Sequence, residues 1–294
     1  MIPAFARRTE SCAAAPRAAR RRYEEMLMLP TIDLCGLTVS RLIIGGNPFS
    51  GFSHQSRERD EAMLDYYTTS RLKETLARAE AAGIDTAMMR SDHHIHRLLR
   101  EYRNDGGRLQ WLAQVGGDSE AKTMLAACDA AVHYGAKAAY IHGAMVDHAY
   151  AQRNPDDLIE WLDRIRSHGI PAGVAGHASE AHLWVNSLGI ADFHVVCFYN
   201  CGSLHVGKGD IFDEADPPRA VAAIRSIAKP CIGYKILAAG RVDPRRGFEF
   251  ALANIKPTDA VCVGMYRGDR DDMVETDALM VEQTLDRFSM GAAK

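Results

Sequence analysis

The stretch Ala138-Ala139-Tyr140-Ile141-His142-Gly143 decides the fold, together with its two successors, Pro171-Ala-Gly-Val-Ala-Gly-His177 and Phe193-His-Val-Val-Cys-Phe-Tyr-Asn200. Each is a short apolar run of strand length that ends on a polar residue. A helical pattern, Pro155-Asp-Asp-Leu-Ile-Glu-Trp-Leu-Asp-Arg-Ile, separates the first two, and a shorter one around Ala181-His-Leu-Trp-Val-Asn-Ser-Leu separates the second pair. Apolar strands alternating with helical segments specify βαβ units and a parallel sheet. In a parallel barrel, ligands meet the C-terminal strand ends. His142, His177 and Asn200 occupy such ends, so the candidate site is expected there.

Working outward, residues 31–42 alternate around Gly36 as a small hairpin before the barrel, and 41–47 read as the first barrel strand. The polar stretch up to Tyr67 is long for a βα connection and is read as a lid loop. Thr69 is positioned to cap a helix that stops at Gly83. Strand two falls at 84–89 with a helix after Asp92, and strand three at 109–115 with a helix over 119–134. Beyond the central strands come a helix at 218–227, strand seven at 230–237, a helix at 244–255, strand eight at 260–266 and a last helix at 271–288. Eight strands alternating with eight helices predict an α/β protein, a single (β/α)8 TIM barrel with a short N-terminal hairpin. An open doubly wound sheet is the rival, but no Gly-rich dinucleotide turn follows the first strand.

Residues 1–28 are rich in arginine and alanine and lack both apolar periodicity and the apolar core of a secretory signal. They are expected to be a disordered extension, leaving 29–294 as the barrel domain. At 294 residues, 47% hydrophobic and 25% charged, the chain can bury a sizeable core. A net charge of −3 gives no electrostatic case for nucleic acid or an anionic membrane. No apolar run approaches the roughly 20 residues that span a bilayer. The scattered cysteines follow no metal-finger spacing and read as buried free thiols in a reducing, cytoplasmic compartment. A small-molecule substrate is the expected partner, and the sequence leaves the oligomeric state open.

Several motifs in order along the chain resemble the aldo-keto reductase superfamily, from about Ile32 to Leu285. Gly36-Leu-Thr-Val-Ser-Arg-Leu resembles its opening hairpin, Gly83-Ile-Asp-Thr-Ala its second strand and Tyr140-Ile-His142 the strand with its catalytic histidine. Tyr199-Asn200 and Val263-Gly264-Met265, with Glu275 downstream, are similar to its sixth and eighth strand ends. The resemblance implies a set of aspartate, tyrosine, lysine and histidine around a carbonyl, and NADP as cofactor. Asp85 and His142 match that set. The tyrosine expected shortly after Asp85 is absent from Met88-Met-Arg-Ser-Asp-His-His94, and the lysine position reads Gln114. A closer resemblance is to an uncharacterised barrel group, carried by Lys229-Pro-Cys-Ile-Gly-Tyr-Lys-Ile-Leu-Ala-Ala-Gly-Arg241 and Ile255-Lys-Pro-Thr-Asp-Ala-Val-Cys-Val-Gly264. That group implies no established reaction.

The candidate catalytic residues are Asp85, His142, His177 and Lys235. Two histidines on neighbouring strand ends are placed to converge, and neutral imidazole is a common metal ligand. His142 and His177 are therefore the candidate ligands for a divalent metal (Mn, Zn or Mg), although no HxH or HExxH spacing supports them. Lys235 interrupts a strand expected to be buried on both faces, where lysine is rarely found unpaired. It is read as a base, an electrophile or a Schiff-base amine, against a structural ion pair with Asp85. Of the histidines at 93, 94 and 96, His96 is read as solvent-facing and His94, or the adjacent Asp92, as the site candidate. His94, Gln114 and Asn200 are candidate substrate ligands, and Arg241 and Arg267 are candidates for gripping a phosphate or carboxylate. The turn-like Val206–Asp210 lacks Walker spacing.

Three functions fit these residues. The first is an enzyme on a polar hydroxy or carbonyl compound, sugar-like or sugar-acid-like, using acid–base or metal-assisted lyase, isomerase or hydrolase chemistry. The second is a divergent NADP-dependent oxidoreductase with Lys235 or His142 as proton donor. The third is a non-catalytic ligand-binding barrel.

Overall fold

The computed structural model describes residues 29–116, 121–201 and 213–292. The predicted extension 1–28 and the turn at Val206–Asp210 lie outside the described residues.

The chain enters through a two-stranded antiparallel hairpin, β1 (Thr31–Leu34) and β2 (Leu37–Ser40). Its two-residue turn places Cys35 at φ 55° and Gly36 at φ 89°, the left-handed pair that a tight hairpin requires. Eight parallel strands follow: β3 (Leu42–Gly45), β4 (Thr86–Arg90), β5 (Gln110–Val115), β6 (Ala138–Ile141), β7 (Ala172–Gly176), β8 (Phe193–Cys197), β9 (Cys231–Tyr234) and β10 (Ala260–Gly264). They close in the order β10-β3-β4-β5-β6-β7-β8-β9, a complete barrel with no edge. The predicted (β/α)8 architecture and its hairpin are both present.

Two packed layers hold the barrel together. Ile43, Met88, Leu112, Tyr140, Phe193 and Ile232 point inward and form one buried cluster with Ile32, Leu34 and Val39 of the hairpin. The hairpin therefore plugs the N-terminal end of the barrel. Alternate residues on the same strands, such as Leu42, Ile44, Ala87, Trp111 and Val261, pack outward against the helices. Period-two alternation between two apolar environments explains why the strands read as continuous apolar runs.

The helices are α1 (Arg57–Tyr66), α2 (Thr69–Ala81), α3 (His93–Asn104), α4 (Met124–His133), α5 (Gly143–Gln152), α6 (Asp156–Arg166), α7 (Ser179–Leu188), α8 (Asp216–Ser226), α9 (Pro244–Asn254) and α10 (Met273–Ala292). Two of them, α1 and α5, were not expected. In α1 only Met63 is buried, so it has no apolar stripe to read. It turns most of the predicted lid loop into a helix capped by Ser56, whose side chain accepts from Arg59 N–H. α5 opens directly on β6 with His142 at the cap position, which normally favours Ser, Thr, Asp or Asn. The cap of α2 is Thr68 rather than Thr69, its side chain accepting from Arg71 N–H.

Among the described residues no helix is long and apolar enough to cross a membrane. Of the six free cysteines among them, five are buried and only Cys35 is exposed, as expected for small core residues.

Candidate active site

The C-terminal strand ends open onto a cavity of about 1360 Å³. His142, His177, Lys235, Gln114 and Asn200 all line it, together with Arg90, Tyr140, Asp147 and Tyr234.

His177 stands immediately beyond the end of β7, and α5 brings Asp147 to it. The Asp147 carboxylate accepts from His177 Nδ1 at 2.8 Å, from the His177 backbone N–H at 3.1 Å and from the Ala178 N–H at 3.4 Å. One carboxylate thus fixes both the ring and the backbone that carries it. An ionised carboxylate only accepts, so in the neutral ring the proton sits on Nδ1 and the lone pair on Nε2. Gly143 lets the ring come this close. A Cβ there would lie 3.0 Å from His177 Cε1 and 3.1 Å from Nδ1.

His142 has the opposite tautomer. As the cap of α5 its Nδ1 accepts the Ala144 N–H at 3.3 Å, so the neutral ring carries its proton on Nε2. Burial first, then the positive influence of His177, Arg90 and Lys235, pushes its pKa down from 6.5 to about 4. It is a neutral donor at pH 7. The two ring centroids are 6.4 Å apart at 71°. Both residues line the cavity, and in their neutral forms the pair carries one acceptor nitrogen and one N–H donor.

The remaining wall is phenolic and cationic. Tyr234 ends β9, donates its hydroxyl to Gly176 O at 3.4 Å and sets its ring 6.4 Å from that of His177. Tyr140 Oη lies 3.5 Å from Gln114 Oε1, at the long limit of a hydrogen bond. Burial drives both phenols well above 10, so each stays protonated. Lys235 follows β9 in a left-handed conformation, φ 54°, with its Nζ 5.7 Å from the centre of the Tyr234 ring. That Nζ is buried and has no hydrogen-bond partner among the described residues.

Other candidates are placed elsewhere. Asp85 precedes β4, at the N-terminal end of the barrel, where its Oδ1 accepts from Ser40 N–H at 2.8 Å and Thr86 Oγ at 2.6 Å. It is a strut between hairpin and barrel, on the far side from the cavity, and no partner for Lys235. Its place at the mouth of the strand belongs to Arg90. Lys235 itself lies after the strand rather than inside it, because β9 stops at Tyr234. Arg267 is buried and bonds Glu74, Thr75 and Asp271, and Arg241 reaches Ala238 O and His54 O across the rim. Neither lines the cavity. His94 is exposed and contacts Phe49 O at 3.2 Å, whereas His96, expected to face solvent, is 6% exposed and stacks on Tyr134 at 3.9 Å. Helical phase decides this, with Ile95, Leu98, Leu99 and His96 sharing the buried arc of α3.

Asp147 was the main omission. It lies on a helix the sequence did not disclose, and no spacing rule ties it to a histidine thirty residues later. Arg90, Tyr140 and Tyr234 were missed as strand residues, although each stands at or one residue from its strand end.

Among the described residues no group of three His, Cys, Asp or Glu side chains comes together to hold a metal ion. His177 Nδ1 is already committed to Asp147, so the histidine pair offers at most two ring nitrogens. The donor set does not fit a divalent centre, and the arginines expected to grip a nucleotide phosphate are engaged in the fold.

No family model matches the sequence, and no curated protein matches it. The barrel fold, however, is shared with solved structures of several descriptions. A Pseudomonas aeruginosa protein described as an aldo-keto reductase superposes with a TM-score of 0.58 over 87% of this chain and 94% of that one, at 19% identity. The glycerol dehydrogenase of Gluconobacter oxydans gives 0.53 over 87% and 95%, at 10% identity. A truncated 3-deoxy-D-arabino-heptulosonate 7-phosphate synthase from Thermotoga maritima gives 0.51 over 92% and 94%, at 13% identity. At these identities the likeness is one of fold.

Proposed function

We propose that this barrel is an enzyme that moves a proton on a small hydroxy-carbonyl compound, sugar-like in its density of oxygens, as an isomerase or lyase. The observation that carries the reading is the pair of opposite tautomers: Asp147 leaves His177 Nε2 as a base, and Ala144 N–H leaves His142 Nε2–H as a donor. A substrate carbonyl oxygen hydrogen-bonded by His142 becomes more electron-withdrawing, which acidifies the neighbouring C–H. His177 Nε2 takes that proton, and Asp147 steadies the imidazolium that results. Negative charge collects on the oxygen, where the His142 N–H and the Arg90 guanidinium face it. The proton then returns to the adjacent carbon, giving isomerisation, or a hydroxyl leaves from the next carbon, giving elimination. General acid–base groups contribute about 10²–10⁴-fold each, and a well-placed oxyanion donor about 10²–10³-fold. Gln114, Asn200 and the two phenols supply the polar contacts that orient a polyhydroxylated chain.

Incubation in deuterated water with a panel of hydroxyaldehydes, hydroxyketones and sugar acids tests this directly. Proton spectra are expected to show deuterium entering next to the carbonyl of at least one class, and the signal is expected to vanish in His177→Gln. Absence of exchange across the panel refutes the reading.

The fold likeness to reductases supports a second reading, an NADP-dependent oxidoreductase. Quenching of tryptophan fluorescence by micromolar NADPH favours it. Unquenched protein that still exchanges deuterium favours the first.

A further inference from the structure

We infer that Lys235 is the covalent nucleophile of this cavity, forming an imine with an aldehyde or ketone substrate. The inference rests on the site handling a carbonyl compound, and it names the step at which that compound is held.

Lysines kept for structure in this fold find carboxylates. Lys256 Nζ lies 3.1 Å from Asp259 and Lys73 Nζ 2.7 Å from Asp105. Lys235 has no such partner among the described residues, yet its Nζ is buried in the wall of the cavity. A buried amine on a cavity wall with no carboxylate beside it is open to a carbonyl ligand, and a lysine amine is the side chain that forms imines with carbonyl substrates. The backbone points the same way. Lys235 adopts φ 54°, and Ala238, Ala239 and Gly240 follow at 48°, 54° and 86°. A left-handed non-glycine residue costs roughly 1–2 kcal/mol. Glycine would relieve that strain at 235 but would remove the amine. Cross-links hold the segment in place, with Gln55 Nε2 donating to Ala239 O at 2.5 Å and Arg241 Nη2 to His54 O at 2.9 Å. Strain that the surroundings maintain around one side chain is a feature of functional sites.

The neighbours supply what imine formation needs. The Nζ lone pair attacks the carbonyl carbon, the C–N bond forms, and the π electrons move onto the oxygen held by His142 Nε2–H. His177 Nε2, carrying the proton it took when the Lys235 ammonium became the free amine, protonates that oxygen to a hydroxyl. It then takes a proton from the new C–N ammonium and passes it to the carbinolamine hydroxyl. That hydroxyl leaves as water while the nitrogen lone pair closes the C=N bond. The protonated imine is a stronger electron sink than the carbonyl, so His177 then removes the adjacent C–H proton to give an enamine. Reprotonation at carbon and attack of water release product and free amine, and no oxidant or reductant enters. The Tyr234 ring, its centre 5.7 Å from Lys235 Nζ and 6.4 Å from that of His177, walls the same part of the cavity.

The test uses the full-length protein with glycolaldehyde, dihydroxyacetone and pyruvate as probes, each trapped with sodium borohydride. Intact mass followed by peptide mapping is expected to show a reduced adduct on Lys235 with at least one probe, forming about tenfold or more faster than on any other lysine. No preferential adduct at Lys235 with all three overturns the inference, as does equal labelling of the exposed lysines. Lys235→Arg retains the charge and cannot form the imine. It is expected to abolish both the adduct and the deuterium exchange, while circular dichroism stays native. Exchange that persists in Lys235→Arg overturns the covalent step and leaves the His177 base standing. An adduct at Lys235 without any His177-dependent exchange supports the covalent step and removes the base reading.

Discussion

Asp147→Asn is the substitution that bears most directly on the proposed chemistry. The wild-type carboxylate accepts from His177 Nδ1 at 2.8 Å and from the His177 and Ala178 backbone N–H groups at 3.1 and 3.4 Å. Asparagine matches it in size but offers one acceptor oxygen and an amide that donates. If the oxygen stays with the backbone N–H groups, the NH2 faces Nδ1, the ring flips its proton to Nε2, and the base disappears. If the oxygen turns to the ring, the tautomer survives without the charge that stabilises imidazolium, and the backbone bonds weaken. Both side chains are about a quarter exposed, at 28% and 27%, so solvent screens part of the loss. Stability should fall by only about 1 kcal/mol, a drop of roughly 2–4 °C in Tm. Turnover should fall by about 10²–10³-fold, because the acid–base step depends on which nitrogen holds the proton. The assay pairs deuterium exchange into the responding substrate with nitrogen spectra of the His177 ring, which report Nδ1–H against Nε2–H. A variant that keeps the wild-type rate while its ring proton moves to Nε2 refutes the role given to the Asp147–His177 pair.

Gly143→Ala should separate activity from stability: alanine is the better helix former, yet its Cβ lies 3.0 Å from His177 Cε1 and displaces the ring. Turnover should drop while Tm holds, and an unchanged rate would mean that the His177 position is not critical. His182 and His194 are fully buried with their Nδ1 atoms 3.1 Å apart, and burial lowers their pKa values from 6.5 to about 4 and about 3. The unfolded chain therefore takes up protons first, so stability is intact above about pH 6.5 and is lost as pH falls through about 4 and 3, on the order of 3 kcal/mol per histidine. Calorimetry from pH 7 to 4 should show a steep fall in Tm that flattens in the double variant H182L/H194L; an equal slope in both would reject this origin. Asp85→Ala removes the acceptor for Ser40 N–H and Thr86 Oγ at the base of the barrel, so it should lower Tm by several degrees and leave kcat unaltered. Loss of kcat in the folded variant would return Asp85 to the catalytic set.

The barrel was legible in the sequence because its signals are local. Alternation of apolar strand and amphipathic helix, the hairpin turn at Gly36 and the stops at glycine and proline each depend on a few neighbouring residues, and any chain with that order closes in much the same way. Strand ends follow from the same signals, which is why His142 and His177 could be placed in the cavity from sequence alone. Depth along a strand could not be read as securely. Asp85 precedes β4 and Arg90, five residues on, ends it, and only the register of β4 against β3 and β5 decides which of them meets the cavity and which the hairpin. The phase of α3 similarly exposed His94 and buried His96. What the tertiary structure alone decided is the arrangement of the polar groups: the hydrogen bonds made by His142 and His177, the pairing of Asp147 with His177, and the isolation of the Lys235 side chain. Each is a contact between residues far apart in the chain, or the absence of one, and a sequence pattern carries no record of the distances that set which nitrogen holds the proton.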